Sequence, residues 1–233
     1  MSFPKIEFKI DKEAEKETAL FFLSKKDLFD KFIKDYPELA KAKDLSQEET
    51  EKFLSIKIDE YYKIKKDFLV RKKKEIEKNW DKIKDEFFKE AQKIFDNHPW
   101  PSGKYIANIS LFGMYRLKPG TKIFSIPSED YAGNPPAYGH INYTIIHEML
   151  HIMFEDFYKK NFKNKLPLQQ YYDLMEIVNC IVLNLPKMKK ITGWVSYHYP
   201  DHKEKYEILK KVYEEYRIMK EFVEKGVEYM NNG

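Results

Sequence analysis

The sequence predicts an α+β fold that is mainly helical and contains a small sheet. Glycine is scarce, at 8 of 233 residues, which favours helices. No glycine or proline interrupts a helical repeat of apolar residues between Ser46 and Phe95. Alternation of apolar and polar residues, the pattern of strands, is limited to residues 3–10, 104–112 and 121–127. These observations together predict long helices around a few short strands.

The first part of the chain contains one strand followed by helices. Alternation of apolar and charged residues predicts a half-buried strand over 3–10, and a helical pattern then continues to about residue 35. Ser46 and Glu49 have the spacing of a capping box, which opens the next helix. From there the pattern predicts either one very long helix or two helices joined at the charged stretch 70–75.

A cluster of proline, glycine and serine at residues 97–104 marks the best boundary in the chain, because the charge density falls beyond it. We therefore expect a helical segment rich in lysine and glutamate, with its short strand, over residues 1–98. Residues 99–233 are expected to form a second domain that ends in an amphipathic helix. Within this domain, helices are predicted over about 142–160 and 168–185.

Charge and cysteine content narrow the class of protein. The chain has 42 lysine and arginine residues against 38 aspartate and glutamate residues, a net charge of +4. So small a surplus argues against a dedicated nucleic-acid or membrane surface. There is one cysteine, Cys180, and the charged N-terminal stretch has no apolar run. We expect a soluble cytoplasmic protein without a membrane partner, and its oligomeric state stays open.

The stretch "TIIHEMLHIMF", residues 144–154, carries the chemistry. Residues four apart share one face of a helix, so His147 and His151 present two imidazoles side by side, while Glu148 points to the adjacent flank. This is the H-E-x-x-H pattern, in which the histidines bind zinc and the glutamate acts on zinc-bound water. Burying these three groups without partners would cost several kcal/mol, and a zinc ion accounts for all of them.

A catalytic zinc site takes three protein ligands and a water molecule, so one more ligand is needed. The next predicted helix contains Glu176. His151 and Glu176 lie at similar distances from the connection between the two helices, so an antiparallel helix pair puts them at nearly the same level. We therefore predict one Zn²⁺ per chain with Glu176 as its third ligand, and Asp156 and Asp173 as the alternatives.

The motif "HEMLH" followed by a glutamate on the next helix resembles the gluzincin branch of the zincin metallopeptidases, especially the compact minigluzincins. The helix "MEIVNCIVLNLP" is more weakly similar to regulatory metallopeptidases that cleave repressors. The resemblance covers about residues 104–200. Thermolysin-like relatives carry an aspartate one turn after the ligand glutamate, where it orients a histidine. This chain has Cys180 there, so Asn179 or Asp173 is the candidate for that role.

The resemblance implies a zinc-dependent endopeptidase whose small zincin-type sheet packs on the H-E-x-x-H helix. Glu148, which is not a ligand, would act as general base and then as general acid towards the leaving amine. Tyr197 and His198, in "SYHYP", are the candidate oxyanion stabilisers, while Tyr143 and His140 are weaker candidates for substrate contact. The strand at 104–112 or at 121–127 is expected to offer an edge to a peptide or protein substrate.

Two other functions remain open at this point. One is a zinc-binding regulator that needs the metal for stability and not for catalysis. The other is a metal-free interaction protein, in which the helical segment 46–95 mediates dimerisation or partner binding, although its heptads are imperfect around 70–75. For the peptidase, the helical segment rich in lysine and glutamate before residue 98 would serve as a recognition arm, a packing partner or an inhibitory cover.

Overall fold

The computed structural model of the protein describes residues 3–25, 30, 33–34, 36–112, 116–128, 137–162 and 166–232, with the backbone alone for 137–140 and 232. The strands are β1 (Ile6–Lys9), β2 (Tyr105–Ser110), β3 (Arg116–Leu117) and β4 (Ile123–Pro127). The α-helices are α1 (Lys12–Ser24), α2 (Gln47–Ile94), α3 (Ala137–Phe162), α4 (Leu168–Leu183), α5 (Pro186–Thr192), α6 (Lys203–Tyr216) and α7 (Met219–Asn232), and short 3-10 helices cover Pro37–Asp44 and Pro200–His202. The predicted α+β class, mainly helical with a small sheet, is confirmed. Across the described ranges no helix combines the length and the apolar content needed to span a membrane.

The sheet is mixed and has the strand order β1-β2-β4-β3. β2 pairs in parallel with both β1 and β4, with Ile6 opposite Tyr105 and Ile106 opposite Ile123. The two-residue strand β3 is antiparallel to β4 and reaches only as far as Ser125. The sequence predicts that β2 or β4 offers an edge to a substrate. β2 is paired with a strand on both sides. On the β3 side of β4, no described strand pairs with the residues that follow Ser125.

A buried glutamate ties α1 to the end of β2. Glu15 is only 3% exposed. Its carboxylate accepts hydrogen bonds from the Ser110 hydroxyl at 2.7 Å, from the backbone N–H groups of Leu111 at 3.0 Å and Phe112 at 3.4 Å, and from the Tyr62 hydroxyl at 3.3 Å. Burial raises the pKa of Glu15, although these hydrogen bonds oppose that rise. The bonds supply the partners that a buried carboxylate needs.

The long helix α2 begins with the predicted capping box. The backbone N–H of Ser46 donates to Glu49 Oε2 at 2.9 Å, and the backbone N–H of Glu49 lies 3.3 Å from Ser46 Oγ. The helix then continues without a break, so the first of the two predicted alternatives is confirmed. Its buried face repeats at intervals of four or seven residues: Leu54, Ile58, Tyr62, Leu69, Ile76, Trp80, Phe87 and Ala91.

The chain divides into two compact units that interleave along the sequence. One unit contains Met1–Lys5, Asn79–Gly103 and Tyr138–Gly233, and the other contains Ile6–Lys78 and Lys104–Ala137. The helix α2 contributes residues to both units. The predicted division after residue 98 does not coincide with the limits of either unit, because β1 pairs with β2 far along the chain.

The end of the chain forms two helices where the sequence predicts one amphipathic helix. The break lies at Arg217, which has a left-handed backbone conformation with a φ of 55°. The next helix, α7, is capped from a distance, since Asp96 accepts hydrogen bonds from the backbone N–H groups of Met219 at 3.1 Å and Lys220 at 2.8 Å. Because Asp96 is remote in sequence, no pattern near residue 219 indicates that a new helix begins there.

Candidate metal centre

The helices α3 and α4 bring the three predicted metal ligands together. The Nε2 atoms of His147 and His151, both on α3, lie 2.9 Å apart. On α4, the carboxylate oxygens of Glu176 lie 3.7 Å from His147 Nε2 and 3.4 Å from His151 Nε2. The candidate ligand atoms of the three residues are all within 4.8 Å of one another. We call these three residues the ligand cluster.

The spacing within the ligand cluster fits one tetrahedral metal ion. With zinc–nitrogen and zinc–oxygen bonds of about 2.0–2.2 Å, tetrahedral angles separate neighbouring ligand atoms by about 3.3–3.6 Å. The observed separations of 2.9, 3.4 and 3.7 Å lie on both sides of that value. The spacing is therefore compatible with a zinc ion after small movements of the side chains. In the part of the chain that the structure describes, the group contains three candidate ligands, which leaves a fourth position for a non-protein ligand.

Burial and mutual charge set the protonation of the ligand cluster. Burial, together with the neighbouring His151, lowers the pKa of His147 to about 3, against a raising contribution from Glu176. Burial raises the pKa of Glu176, but the charge and hydrogen bond of His151 outweigh it and bring the pKa to about 2. For His151, burial lowers the pKa, but Glu176 outweighs it and raises the pKa. A neutral imidazole at His147 and an ionised Glu176 are the forms in which these side chains bind a metal.

Glu148 lies beside the ligand cluster without belonging to it. Its side chain is only 3% exposed. Burial raises the pKa of Glu148 to about 7, with a lowering contribution from His151 and a raising one from Glu176. A carboxyl group with a pKa near neutrality can both accept and donate a proton at neutral pH. Glu148 therefore has the acid–base property that its predicted role requires.

Asn179 on α4 contacts both histidines of the ligand cluster. Its Nδ2 atom donates a hydrogen bond to the backbone carbonyl oxygen of His147 at 3.0 Å. The same atom lies 3.3 Å from Nε2 and 3.4 Å from Nδ1 of His151. Of the two residues predicted to orient a histidine, the structure places Asn179 at the cluster.

The two alternative ligands are engaged elsewhere. Asp156 accepts a hydrogen bond from His98 at 2.7 Å, and Asp173 accepts one from Lys205 at 2.6 Å. Neither carboxylate belongs to the group that the two H-E-x-x-H histidines form. Among the three acidic candidates, Glu176 is therefore the one that the structure brings to the histidines.

The predicted oxyanion stabilisers lie outside the ligand cluster. Tyr197 is 81% exposed and makes no hydrogen bond to a residue in the described ranges. The ring of His198 lies 4.7 Å from the ring of Tyr206, and its Nδ1 donates to the carbonyl oxygen of Tyr199 at 2.9 Å. A catalytic role for Tyr197 and His198 stays a prediction.

Ser196 borders the site, and the sequence gives no sign of it. The hydroxyl of Tyr143 lies 2.8 Å from Ser196 Oγ, and the ring centroids of Tyr143 and His147 are 5.9 Å apart. The position of Tyr143 one turn before His147 is visible in the sequence. A lone serine in an irregular segment has no periodic signal, so its contact with Tyr143 appears only in the folded chain.

Comparisons of this chain with protein-family models, with curated proteins and with solved structures found no match. The resemblance to zincin metallopeptidases therefore rests on the H-E-x-x-H motif, on the glutamate of the next helix and on the arrangement of their side chains. Function has to be argued from the chemistry of the site itself.

Proposed function

We propose that the protein is a zinc-dependent metallopeptidase of the gluzincin type. The observation that carries the proposal is the ligand cluster, with the candidate atoms of His147, His151 and Glu176 within 4.8 Å of one another beside the buried Glu148. Structural zinc sites are usually closed by four protein ligands, whereas catalytic sites have three and an open position. Three ligands next to a buried acid–base group favour catalysis over a purely structural metal.

In this proposal His147, His151 and Glu176 hold one Zn²⁺. When bound, the ion lowers the pKa of a water molecule towards about 7 and polarises the scissile carbonyl group. Glu148 takes a proton from the attacking water and passes it to the leaving amine, and its burial beside the ligand cluster suits both transfers. Asn179 keeps the backbone of His147 in place by its hydrogen bond of 3.0 Å.

The side chains of the ligand cluster are unequally exposed. The side chain of His151 is 5% exposed, whereas those of His147 and Glu176 are 15% and 23% exposed. A water molecule and a carbonyl group can reach the cluster past these two residues. The choice of the peptide bond as substrate, with internal bonds of a peptide or protein as targets, rests on the resemblance to zincin metallopeptidases. A cytoplasmic place of action belongs to the same proposal.

The test combines metal analysis with a cleavage assay. Full-length protein purified without chelators is expected to hold about one zinc per chain by elemental analysis, and to cleave unfolded casein. Glu148→Gln should keep the zinc and lower the cleavage rate by about 100-fold or more. Glu155→Gln, a matched change on the same helix at a residue that pairs with Lys159, should leave both properties unchanged.

Each of the other functions gives a different result. Cleavage that survives in Glu148→Gln contradicts the assigned mechanism. A protein that holds zinc and melts at a lower temperature after His151→Ala, but cleaves no peptide, is the zinc-stabilised regulator. A protein that takes up no zinc after reloading at neutral pH contradicts the proposal entirely and leaves the metal-free interaction protein.

A further inference from the structure

The segment of residues 195–199 is hydrogen-bonded to α3 close to the ligand cluster. Its second residue, Ser196, is only 6% exposed, and its Oγ atom lies 2.8 Å from the hydroxyl of Tyr143. Tyr143 precedes His147 by one turn of α3, and the centroids of the two rings are 5.9 Å apart. Ser196 therefore contacts Tyr143, which in turn contacts the proposed zinc ligand His147.

The backbone of Ser196 is also hydrogen-bonded to the residue that ends α4, the helix that contains Glu176. Asn184 follows the last residue of α4, and its Oδ1 accepts a hydrogen bond from the backbone N–H of Ser196 at 3.2 Å. Its Nδ2 donates to the backbone carbonyl of Ser196 at 2.9 Å. The same Nδ2 atom lies 3.6 Å from Sγ of Cys180, one turn beyond Glu176. Both helices of the ligand cluster thus hold the segment in place.

The two bonds to Asn184 leave one edge of the segment open. The exposed fractions of Val195, Ser196 and Tyr197 are 47%, 6% and 81%, an alternation typical of extended backbone. In such backbone the N–H and C=O groups of successive residues point to opposite sides. Ser196 directs its pair towards Asn184, so Val195 and Tyr197 direct theirs the other way. There, the described part of the protein offers these groups no hydrogen-bond partner.

Large side chains line this segment at alternate positions. Val195, Tyr197 and Tyr199 are 47%, 81% and 52% exposed. Alternate residues of extended backbone lie on one side, so these three side chains form a ridge. Tyrosine rings offer a broad apolar surface with a polar tip, which suits contact with varied side chains.

We propose that residues 195–199 form a substrate-binding edge, to which an extended peptide binds through the main-chain groups of Val195 and Tyr197. Apolar or aromatic side chains of the peptide lie against Tyr197 and Tyr199. Main-chain pairing supplies affinity, and contacts at alternate side chains supply selectivity. The inference rests on the proposed peptidase function for the fate of the peptide, while binding itself requires no catalysis. The preferred substrates are unfolded segments with apolar residues at alternate positions.

The test measures binding apart from cleavage. Full-length protein carrying Glu148→Gln is titrated into fluorescein-labelled unfolded β-casein, and binding is followed by fluorescence anisotropy. In this background Tyr197→Ala removes the ring and keeps the N–H group of the open edge, whereas Tyr197→Pro removes both the ring and the N–H group. Tyr197→Ala is expected to weaken binding about three- to tenfold, the effect of one lost ring contact. Tyr197→Pro is expected to weaken it about three- to tenfold further, the effect of one lost main-chain bond. Tyr172→Ala, at another exposed tyrosine, is the matched control and should bind like the parent.

The outcomes separate this edge from the proposed function. Equal casein binding by the parent, Tyr197→Pro and Tyr197→Ala overturns the edge, and so does a lack of casein binding by the parent. A protein that binds casein through Tyr197 but holds no zinc disproves the peptidase and supports the edge. In the cleaving protein, Tyr197→Ala should raise KM and leave kcat unchanged, and a fall in kcat alone overturns the assignment of Tyr197 to binding. Melting temperatures of all variants check that the fold is intact.

Discussion

The Nδ2 atom of Asn179 donates a hydrogen bond to the backbone carbonyl oxygen of His147, 3.0 Å away. The same atom lies 3.3 Å from Nε2 of His151, so one amide on α4 contacts α3 at both histidines of the H-E-x-x-H motif. Glu176 lies one turn earlier on α4. The amide therefore helps to hold the two helices in the register that places Glu176 beside the histidines.

Replacing Asn179 should weaken metal binding. Asn179→Ala removes the bond to His147 and the contact with His151, so the histidines lose part of the support that orients them. We expect a zinc affinity about 10- to 100-fold lower, as for other residues that support metal ligands. Competition with a chromophoric chelator measures the affinity. Asn161→Ala is the control, because Asn161 donates in the same way to the carbonyl oxygen of Phe157 at 2.8 Å. An unchanged affinity in Asn179→Ala would falsify the supporting role.

Replacing Glu176 should remove a ligand, whereas replacing the other acidic candidates should not. Glu176→Gln takes away the negative charge that lies 3.4 Å from His151 Nε2. We expect its zinc content, measured by elemental analysis after dialysis, to fall well below that of the parent protein. Asp156→Asn and Asp173→Asn should retain the parent content, since these carboxylates pair with His98 and Lys205. Loss of zinc in either aspartate variant, with retention in Glu176→Gln, would reverse the assignment.

The buried Glu15 should make stability depend on pH. Burial raises its pKa in the folded chain above the value in the unfolded chain, so folding favours the protonated form. The stability that this group contributes is fully present below the unfolded pKa and is lost as the pH rises through the folded pKa. The free energy of unfolding of the parent protein, relative to Glu15→Gln, should therefore fall as the pH rises above the ordinary glutamate pKa of about 4.3, by up to about 1.4 kcal/mol per pH unit.

Urea unfolding at a series of pH values measures this difference. Glu17→Gln, at an exposed residue of the same helix, is the control and should show no comparable change with pH. A difference between parent and Glu15→Gln that stays constant over the whole range would mean that Glu15 keeps an ordinary pKa in the folded chain.

Local signals account for most of the elements that the sequence predicts. The capping box at Ser46 and Glu49 opens α2, and the apolar repeat continues through the charged stretch 70–75 without a break. Features that depend on distant residues could not be predicted. The pairing of β1 with β2 and the cap that Asp96 gives to α7 both depend on contacts between remote parts of the chain.

The candidate site likewise combines residues that local sequence patterns predict with residues that they do not. His147 and His151 are related by helical spacing, and the helix connection places Glu176 at their level, so sequence reasoning could group all three. The sequence leaves Asn179 and Asp173 open as supporting residues, because helical spacing cannot tell which side chain points towards a histidine. Ser196 could not be found, since its partners lie on separate elements and no repeat marks it.

The parallel pairing of β1 with β2 has a consequence for synthesis on the ribosome. Ile6 pairs with Tyr105, so the first strand emerges long before its partner exists. At about 5–20 residues per second, the intervening stretch of about 100 residues takes about 5–20 seconds to translate. During that interval β1 has an unpaired edge that other nascent chains can reach. Its length of four residues and the charges of Glu7 and Lys9 protect it, since short and charged edges resist pairing with other chains.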